Sequence, residues 1–276
     1  MAAIIYSNLD LAGKNIAREL KEKHGFKPAE AVNAGGHLLP AWKKDDGLHL
    51  IEIPTPTITS DYLDSLKADL IVFASKHKSE SGKPTLTAHA CGNWNDKADF
   101  GGKPRTLAPT SALAIKAAMK SIAKSAASNS ALSGFDVVLE CTHHGPLLTT
   151  PFLFVEIGST EKEWGLPAPA EAVAEACIAA CKAKPASENV AIGIGGIHYP
   201  REFTKAVLRE GNEVAVGHIC PKYAIGFLDE EMLSQMLSKS GGKVGLALIG
   251  WKSLNSEERA NAIALLNAFN VPFDKV

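Results

Sequence analysis

Short, almost unbroken apolar runs alternate along this chain with longer stretches of helical periodicity, and that alternation most constrains its fold. The runs cover residues 2–6, 48–53, 69–75, 86–91, 135–141, 152–157, 190–195, 213–219 and 244–249. Most lack the strict apolar–polar alternation of a half-exposed strand, so they predict strands covered on both faces. The helical stretches cover 9–24, 60–66, 110–127, 168–184, 201–210, 230–238 and 256–269. Interleaving of this kind predicts a single-domain α/β/α three-layer fold around a mixed, largely parallel central sheet. A chain of 276 residues is near the upper size of one such domain. No linker rich in Pro, Gly or Ser divides it, so residues 1–276 read as one unit.

Charge and cysteine usage narrow the setting. A formal net charge of -1 and a pI near 6.8 give no bulk support for nucleic-acid binding, which must come from local patches. Five scattered cysteines do not make a disulfide framework and suit a reducing, cytoplasmic compartment. The start of the sequence has no basic leader, and no run is long enough to span a bilayer. The expectation is a soluble monomer with neither membrane nor DNA as a partner. The long irregular stretch 92–108 reads either as a lid or RNA contact or as a solvated insertion.

Common catalytic signatures are missing. Glu80-Ser81-Gly82-Lys83-Pro84 lacks the leading glycine of a phosphate loop and has proline where Ser or Thr should hold magnesium. Gly193-Ile194-Gly195-Gly196 is out of register for a dinucleotide fingerprint. Neither a Gly-x-Ser-x-Gly elbow nor a His-Glu-x-x-His helix occurs.

Histidines gather instead where strands end. His77, His89, His143, His144, His198 and His218 stand at or just past predicted strands. Ligands of parallel α/β sheets bind beyond the strands' carboxyl ends, so these residues can converge. Any one alone reads as well as a satisfied structural histidine. In Glu140-Cys141-Thr142-His143-His144-Gly145-Pro146, adjacent imidazoles precede a glycine that permits close backbone approach. Such a pair suits zinc, whose bound water ionises near neutral pH, or metal-free acid–base chemistry. Glu156 is a carboxylate in an apolar strand, either a general base of raised pKa or an ion-pair partner for a basic loop. The pairs His89/Cys91, Cys141/His143 and His218/Cys220 offer mixed ligands or, more simply, small buried thiols beside histidines. Cys177 and Cys181 share a helix face and read as core packing. Lys116, Lys120 and Lys124 form a row that can follow phosphates or face solvent, and Lys76, Lys78, Lys83, Arg201 and Lys222 add positive charge near the presumed cleft.

Several runs resemble, in order, D-aminoacyl-tRNA deacylases of the archaeal and plant type. They are the run from Ser75 to Pro84, Leu86-Thr87-Ala88-His89 with Gly92-Asn93, Thr142-His143-His144-Gly145-Pro146, Phe154-Val155-Glu156-Ile157-Gly158-Ser159-Thr160 with Trp164, and Gly195-Gly196-Ile197-His198-Tyr199. The resemblance implies a phosphorylase/peptidyl-tRNA-hydrolase-like domain, hydrolysis of D-aminoacyl esters on tRNA, and zinc as cofactor. Carried onto matching positions, it implies His77, His89, His143, His144 and Glu156 as catalytic residues, with His143, His144 and His198 as metal candidates. Lys76, Ser79, Thr142, Gly145, His198, Tyr199, Arg201 and Lys222 form the expected substrate-binding set. Backbone amides near Gly145 or Gly195-Gly196 are the expected oxyanion donors. Rival readings are a peptidyl-tRNA hydrolase, a nucleoside phosphorylase, and a non-catalytic tRNA-binding module.

Overall fold

The computed structural model describes residues 1–183, 189–211 and 214–276. Its strands are β1 (Ala2–Ser7), β2 (Lys27–Ala34), β3 (His37–Lys43), β4 (His49–Ile53), β5 (Leu70–Lys78), β6 (Thr85–His89), β7 (Gly92–Asn93), β8 (Thr106–Leu107), β9 (Asp136–Leu139), β10 (Phe152–Ser159), β11 (Asn189–Ile194), β12 (Val214–Cys220), β13 (Val244–Ile249) and β14 (Phe273–Lys275). The helices are α1 (Leu11–Lys23), α2 (Ala112–Ser128), α3 (Glu161–Trp164), α4 (Pro167–Cys181), α5 (Arg201–Leu208), α6 (Glu230–Lys239) and α7 (Ser256–Ala268). Every predicted strand run recurs within two residues of its bounds except 69–75, whose strand continues three residues further to Lys78; Lys184 and Glu213, at the edges of two predicted elements, lie outside the described residues.

The fold is α/β with a large, mostly parallel sheet flanked by helices. The strands divide, however, into an eight-stranded sheet, ordered β2-β3-β4-β1-β5-β10-β6-β9, and a four-stranded one, ordered β12-β11-β13-β14. The smaller sheet is parallel throughout. In the larger, β4, β1, β5 and β10 run parallel, whereas β6 is antiparallel to β10 and carries β9 with it. Backbone bonds from Cys141 N to His198 O (3.0 Å) and from Thr142 N to Ile219 O (3.0 Å) join the sheets just past β9.

The alternation of side chains along each strand decides what covers each face. On one face of the large sheet Val72, Ala74, Leu86, Ala88, Val155 and Ile157 meet α1, α2 and α4 through Ile16, Leu20, Ile115, Met119 and Val173. The opposite face carries Ile71, Phe73, Phe152 and Phe154, covered by Leu63, Leu66 and Leu148 from irregular chain. The strands therefore read as continuous apolar runs although helices pack on only one side. Residues 60–66, predicted helical, form a 3-10 turn at Asp61–Leu66, and Asp64 accepts hydrogen bonds from the amides of Thr149 and Thr150. The smaller sheet has helices on both sides, with Phe203 and Val207 of α5 against one face and Met232, Met236 and Leu266 of α6 and α7 against the other.

Caps fix the helix starts. Asp10, Ser111 and Asp229 each accept from the third amide on, and Asn255 forms a capping box with Glu258. The β2–β3 hairpin has no counterpart in the apolar pattern, because it is an exposed edge; its Gly35-Gly36 turn has positive φ at both positions, as a type I′ two-residue turn requires. Lys116 is buried, so the lysine row on α2 is not a continuous solvent-facing stripe. Cys177 packs among the alanines of the core. No described helix is long and apolar enough to cross a membrane.

His218 of β12 fastens the sheets together. It is fully buried, with Nε2 donating to Ala108 O (3.0 Å) and Nδ1 accepting from Thr142 Oγ1 (3.2 Å), whose oxygen in turn accepts from Ile219 N. Burial, abetted by the nearby Lys239 charge, pushes its pKa down to about 3. The unfolded chain thus binds a proton below about 6.5 that the folded one refuses, and stability falls with pH across that window. Between pH 7.5 and 4.5, His218 is expected to account for about 2–3 kcal/mol of lost stability. His218→Asn should flatten that part of the pH dependence in denaturant titrations; an unaltered slope would show that this residue does not cause it.

Candidate active site and metal centre

The site opens on the helix-free face of the large sheet. His77 of β5 and Glu156 of β10 project there from parallel neighbours, in the same rows as Phe73 and Phe154. His89 ends the antiparallel β6, opposite Phe154, and its ring stacks on that phenyl with centroids 5.4 Å apart. Glu140 follows β9, and His143 and His144 lie in the turn beyond it, where His143 bridges to Cys91. His198 enters from the turn after β11, in the second sheet. The imidazoles therefore do not gather at one row of strand ends. They meet because β6 and β9 run against β5 and β10, and because the two sheets abut.

Glu140 lies at the centre. One of its oxygens, Oε2, has His198 Nε2 at 2.9 Å, His77 Nδ1 at 3.0 Å and His143 Nε2 at 3.6 Å, while Oε1 is buried without a hydrogen-bond partner. Glu156 Oε2 lies 3.4 Å from His89 Nε2 and 3.6 Å from His77 Nδ1, charge contacts too long for good hydrogen bonds. Burial alone would raise both carboxyls, but His198 and His77 hold Glu140 well below the usual range, and His77 with His89 brings Glu156 down to about 2. The effect is mutual. Burial disfavours the charged rings, yet Glu140 and Glu156 bring His77 up to about 11, and Cys141 with Glu140 brings His198 up to about 10.

His143 and His144 behave oppositely. Burial and neighbouring imidazoles push His143 well below the ordinary value and His144 to about 4, so both are neutral at pH 7. Three rings commit Nδ1 to a backbone carbonyl: His143 to Cys141 O (2.9 Å), His144 to Gly145 O (2.6 Å) and His89 to Ala90 O (3.0 Å). Such bonds fix the tautomer, as in metal-binding histidines; they leave the Nε2 lone pair free in neutral His143 and His144, while His89 Nε2 faces Glu156, which raises its proton affinity. The ligand atoms of His89, His143 and His144 lie within 4.8 Å of one another, as do those of His77, Glu140, His143 and His198 and those of His89, Glu140 and Glu156. Converging lone pairs, orphaned carboxylate oxygens and a nitrogen–oxygen donor set fit a divalent cation.

A cavity of about 1060 Å³ leads to this cluster and is lined by His77, His143, His144, Glu156 and His198, with Lys76, Ser79, Trp94, Phe100 and Tyr223 among the others. Other expected binding residues lie elsewhere or are engaged. Arg201 pairs with Asp136 and lines a different cleft; Lys222 faces Glu258 at 3.9 Å; Thr142 is buried behind the site; and Tyr199 Oη bonds His77 Nε2 at 2.6 Å. The amides of Gly145, Gly195 and Gly196 already donate to Phe100 O, Cys220 O and Ser253 Oγ, so the expected oxyanion role for them is corrected. Loop 92–108 carries the small β7–β8 hairpin, and its tip lines the cavity. Cys91, Cys141 and Cys220 are buried thiols, with Cys141 Sγ 3.5 Å from His198 Nδ1. Glu140 is the residue that sequence reading passed over, although it ends an apolar strand as visibly as Glu156 interrupts one.

In cation-free protein, Glu140→Gln should lower the pKa of both His77 and His198, since Glu140 raises each, although Glu156 still supports the charge on His77 and Cys141 that on His198. NMR titration of the histidine ring protons measures this; unchanged values would place the charge elsewhere.

A profile of the D-aminoacyl-tRNA deacylase family matches residues 64–274. The D-aminoacyl-tRNA deacylase of Pyrococcus horikoshii is 37% identical over 287 residues, covering all of both chains. That of Methanosarcina barkeri is 37% identical over 270 residues, with 95% of this chain and 85% of that protein covered. A crystal structure of a conserved protein of unknown function superposes with a TM-score of 0.88 at 31% identity, covering 100% of this chain and 95% of the other. This chain belongs to the D-aminoacyl-tRNA deacylase family.

Proposed function

We propose that residues 1–276 act as one unit that hydrolyses the ester of D-aminoacyl-tRNA, releasing D-amino acid and free tRNA. As a member of its family, the chain is a hydrolase acting on that ester. The observation that carries the mechanism is the meeting of neutral imidazoles and ionised carboxylates at the bottom of an open cavity. His89, His143 and His144, through Nε2, would hold a cation, with Glu140 and His198 completing or charge-balancing the site. Zinc is the natural candidate for a histidine–carboxylate donor set, and when bound it supplies Lewis acidity that polarises a carbonyl and acidifies water.

The remaining tasks fall to the chain. Glu156, ionised and lining the cavity, is placed to accept a proton from the attacking water, although His77 and His89 bring its pKa down to about 2 instead of raising it as the sequence reading expected. In the cation-free site the two carboxylates hold His77 as imidazolium with its Nε2 donating to Tyr199 Oη, so His77 is suited to be a donor rather than the base. Phe154 and Trp94 make one side of the cavity apolar, which strengthens each charge interaction at the ester. Chirality would be read as a clash of the L side chain against this wall. Cytoplasmic location and a role in proofreading belong to the same reading, and the five free cysteines accord with a reducing compartment.

Matched D- and L-aminoacyl-tRNA, assayed with and without chelator, test the proposal. The D ester should be cleaved roughly 10–200-fold faster, and His143→Ala or Glu156→Gln should cost at least about 100-fold in kcat with the fold intact. Equal rates on both enantiomers would sink the stereospecific reading. Full activity after verified zinc removal would sink the zinc assignment alone.

A further inference from the structure

The exposed aromatic side chains of the described residues gather in one place. Among the described residues, the exposed Phe, Tyr and Trp side chains are Phe100 at 68%, Tyr223 at 62% and Phe227 at 39%, and all line the cavity of the candidate active site. They come from separate segments, the loop between β7 and β8 and the 3-10 turn Lys222–Phe227 after β12.

Two of these rings are displayed on held supports. Phe100 O accepts from Gly145 N (3.0 Å), and Asn93 Nδ2 donates to Gly101 O (2.8 Å). Gly101, at φ +80, packs so closely that a Cβ would lie 1.8 Å from Ile58 O. Tyr223 has its hydroxyl 3.1 Å from buried Cys141 Sγ, which fixes the ring while leaving its surface open. Exposing rigid apolar rings to water is unfavourable, and their concentration at a single opening marks a contact surface. Lys76, Lys78 and Lys97 line the same cavity, alongside Glu80 and Asp99.

We infer that Phe100, Tyr223 and Phe227 are stacking platforms for the unpaired nucleotides at the 3′ end of the tRNA. The inference rests on the proposed deacylase reading, which requires an ester on the terminal ribose to reach Glu156 and the histidines. The preceding bases must then cross this rim. Single-stranded RNA is recognised by stacking on aromatic faces, and lysines supply the phosphate contacts. Arg201 and Lys222, members of the substrate-binding set expected from sequence, do not line this cavity and instead pair with Asp136 and face Glu258.

The test measures binding of full-length protein to uncharged tRNA and to the same tRNA trimmed of its unpaired 3′ nucleotides. Wild type should prefer the intact form. Phe100→Leu, Tyr223→Leu and Phe227→Leu, which keep apolar bulk but remove the ring, should each weaken binding to intact tRNA about 5- to 150-fold, the equivalent of about 1–3 kcal/mol per stacked base. Binding to trimmed tRNA should change far less. Tyr223→Phe keeps the ring without the thiol contact and should stay close to wild type. Equal affinity of wild type for both tRNAs, equal loss on both by the leucine variants, or a Tyr223→Phe loss as large as that of Tyr223→Leu would overturn the platform. Turnover is measured separately on D-aminoacyl-tRNA. Discrimination in binding without hydrolysis would leave the platform standing and refute the deacylase reading instead.

Discussion

Two carboxylates buried within one cluster of imidazoles are the constraint to which the rest of this structure answers. Glu140 and Glu156 are each almost wholly inaccessible to solvent, and taking an ionised carboxylate out of water costs several kcal/mol even after relaxation. Their close charge partners are histidines: His77, His143 and His198 around Glu140, and His77 and His89 around Glu156. The compensation comes from His77, His89 and His198, whose raised proton affinity is the other side of the same interaction. A cation would serve the carboxylates in place of ring protons, and His143 and His144, already neutral, are prepared for it. One electrostatic problem thus has two solutions, and the site is built so that both use the same atoms.

The backbone arrangement that permits this is the reversal of β6 and β9 relative to β5 and β10; β3 also runs antiparallel, but at the far edge of the sheet. Because β6 runs back, His89 stands level with Phe154 while His77 stands level with Gly158, and Glu156 between them reaches both. Reversal brings His89 to the level of Phe154 and sends the chain after β9 towards the second sheet, where Cys141 and Thr142 bond to His198 and Ile219. His198 reaches Glu140 because of that junction. The absence of helices on this face of the large sheet leaves room for the cavity, and the close contact of the Gly101 loop with Gly145 forms one wall.

How much was legible in sequence differs between elements. β5 and β10 were readable because both faces are buried and the apolar run is unbroken. The β2–β3 hairpin was not, since an exposed edge strand needs few apolar residues and its only mark was Gly35-Gly36. His77, His89, His143, His144, His198 and Glu156 stood out as polar residues where apolar runs end or are interrupted. Glu140 bore the same mark beside Val137-Val138-Leu139 but was overshadowed by the histidine pair after it. Arg201 and Lys222 were attractive as cations near the motifs, yet their charges are turned to Asp136 and Glu258, acids far away in sequence.

The sequence by itself determined the α/β class, the positions of most core strands and the residue types gathered near their ends, because these follow from local apolar pattern and chain periodicity. Only the tertiary structure decided which strands run in reverse, that the strands split into two sheets, which histidines are held charged and which neutral, and which basic residues are already paired. Those outcomes depend on distances between groups remote along the chain, and charge interactions in a low-dielectric interior change steeply over a few ångströms.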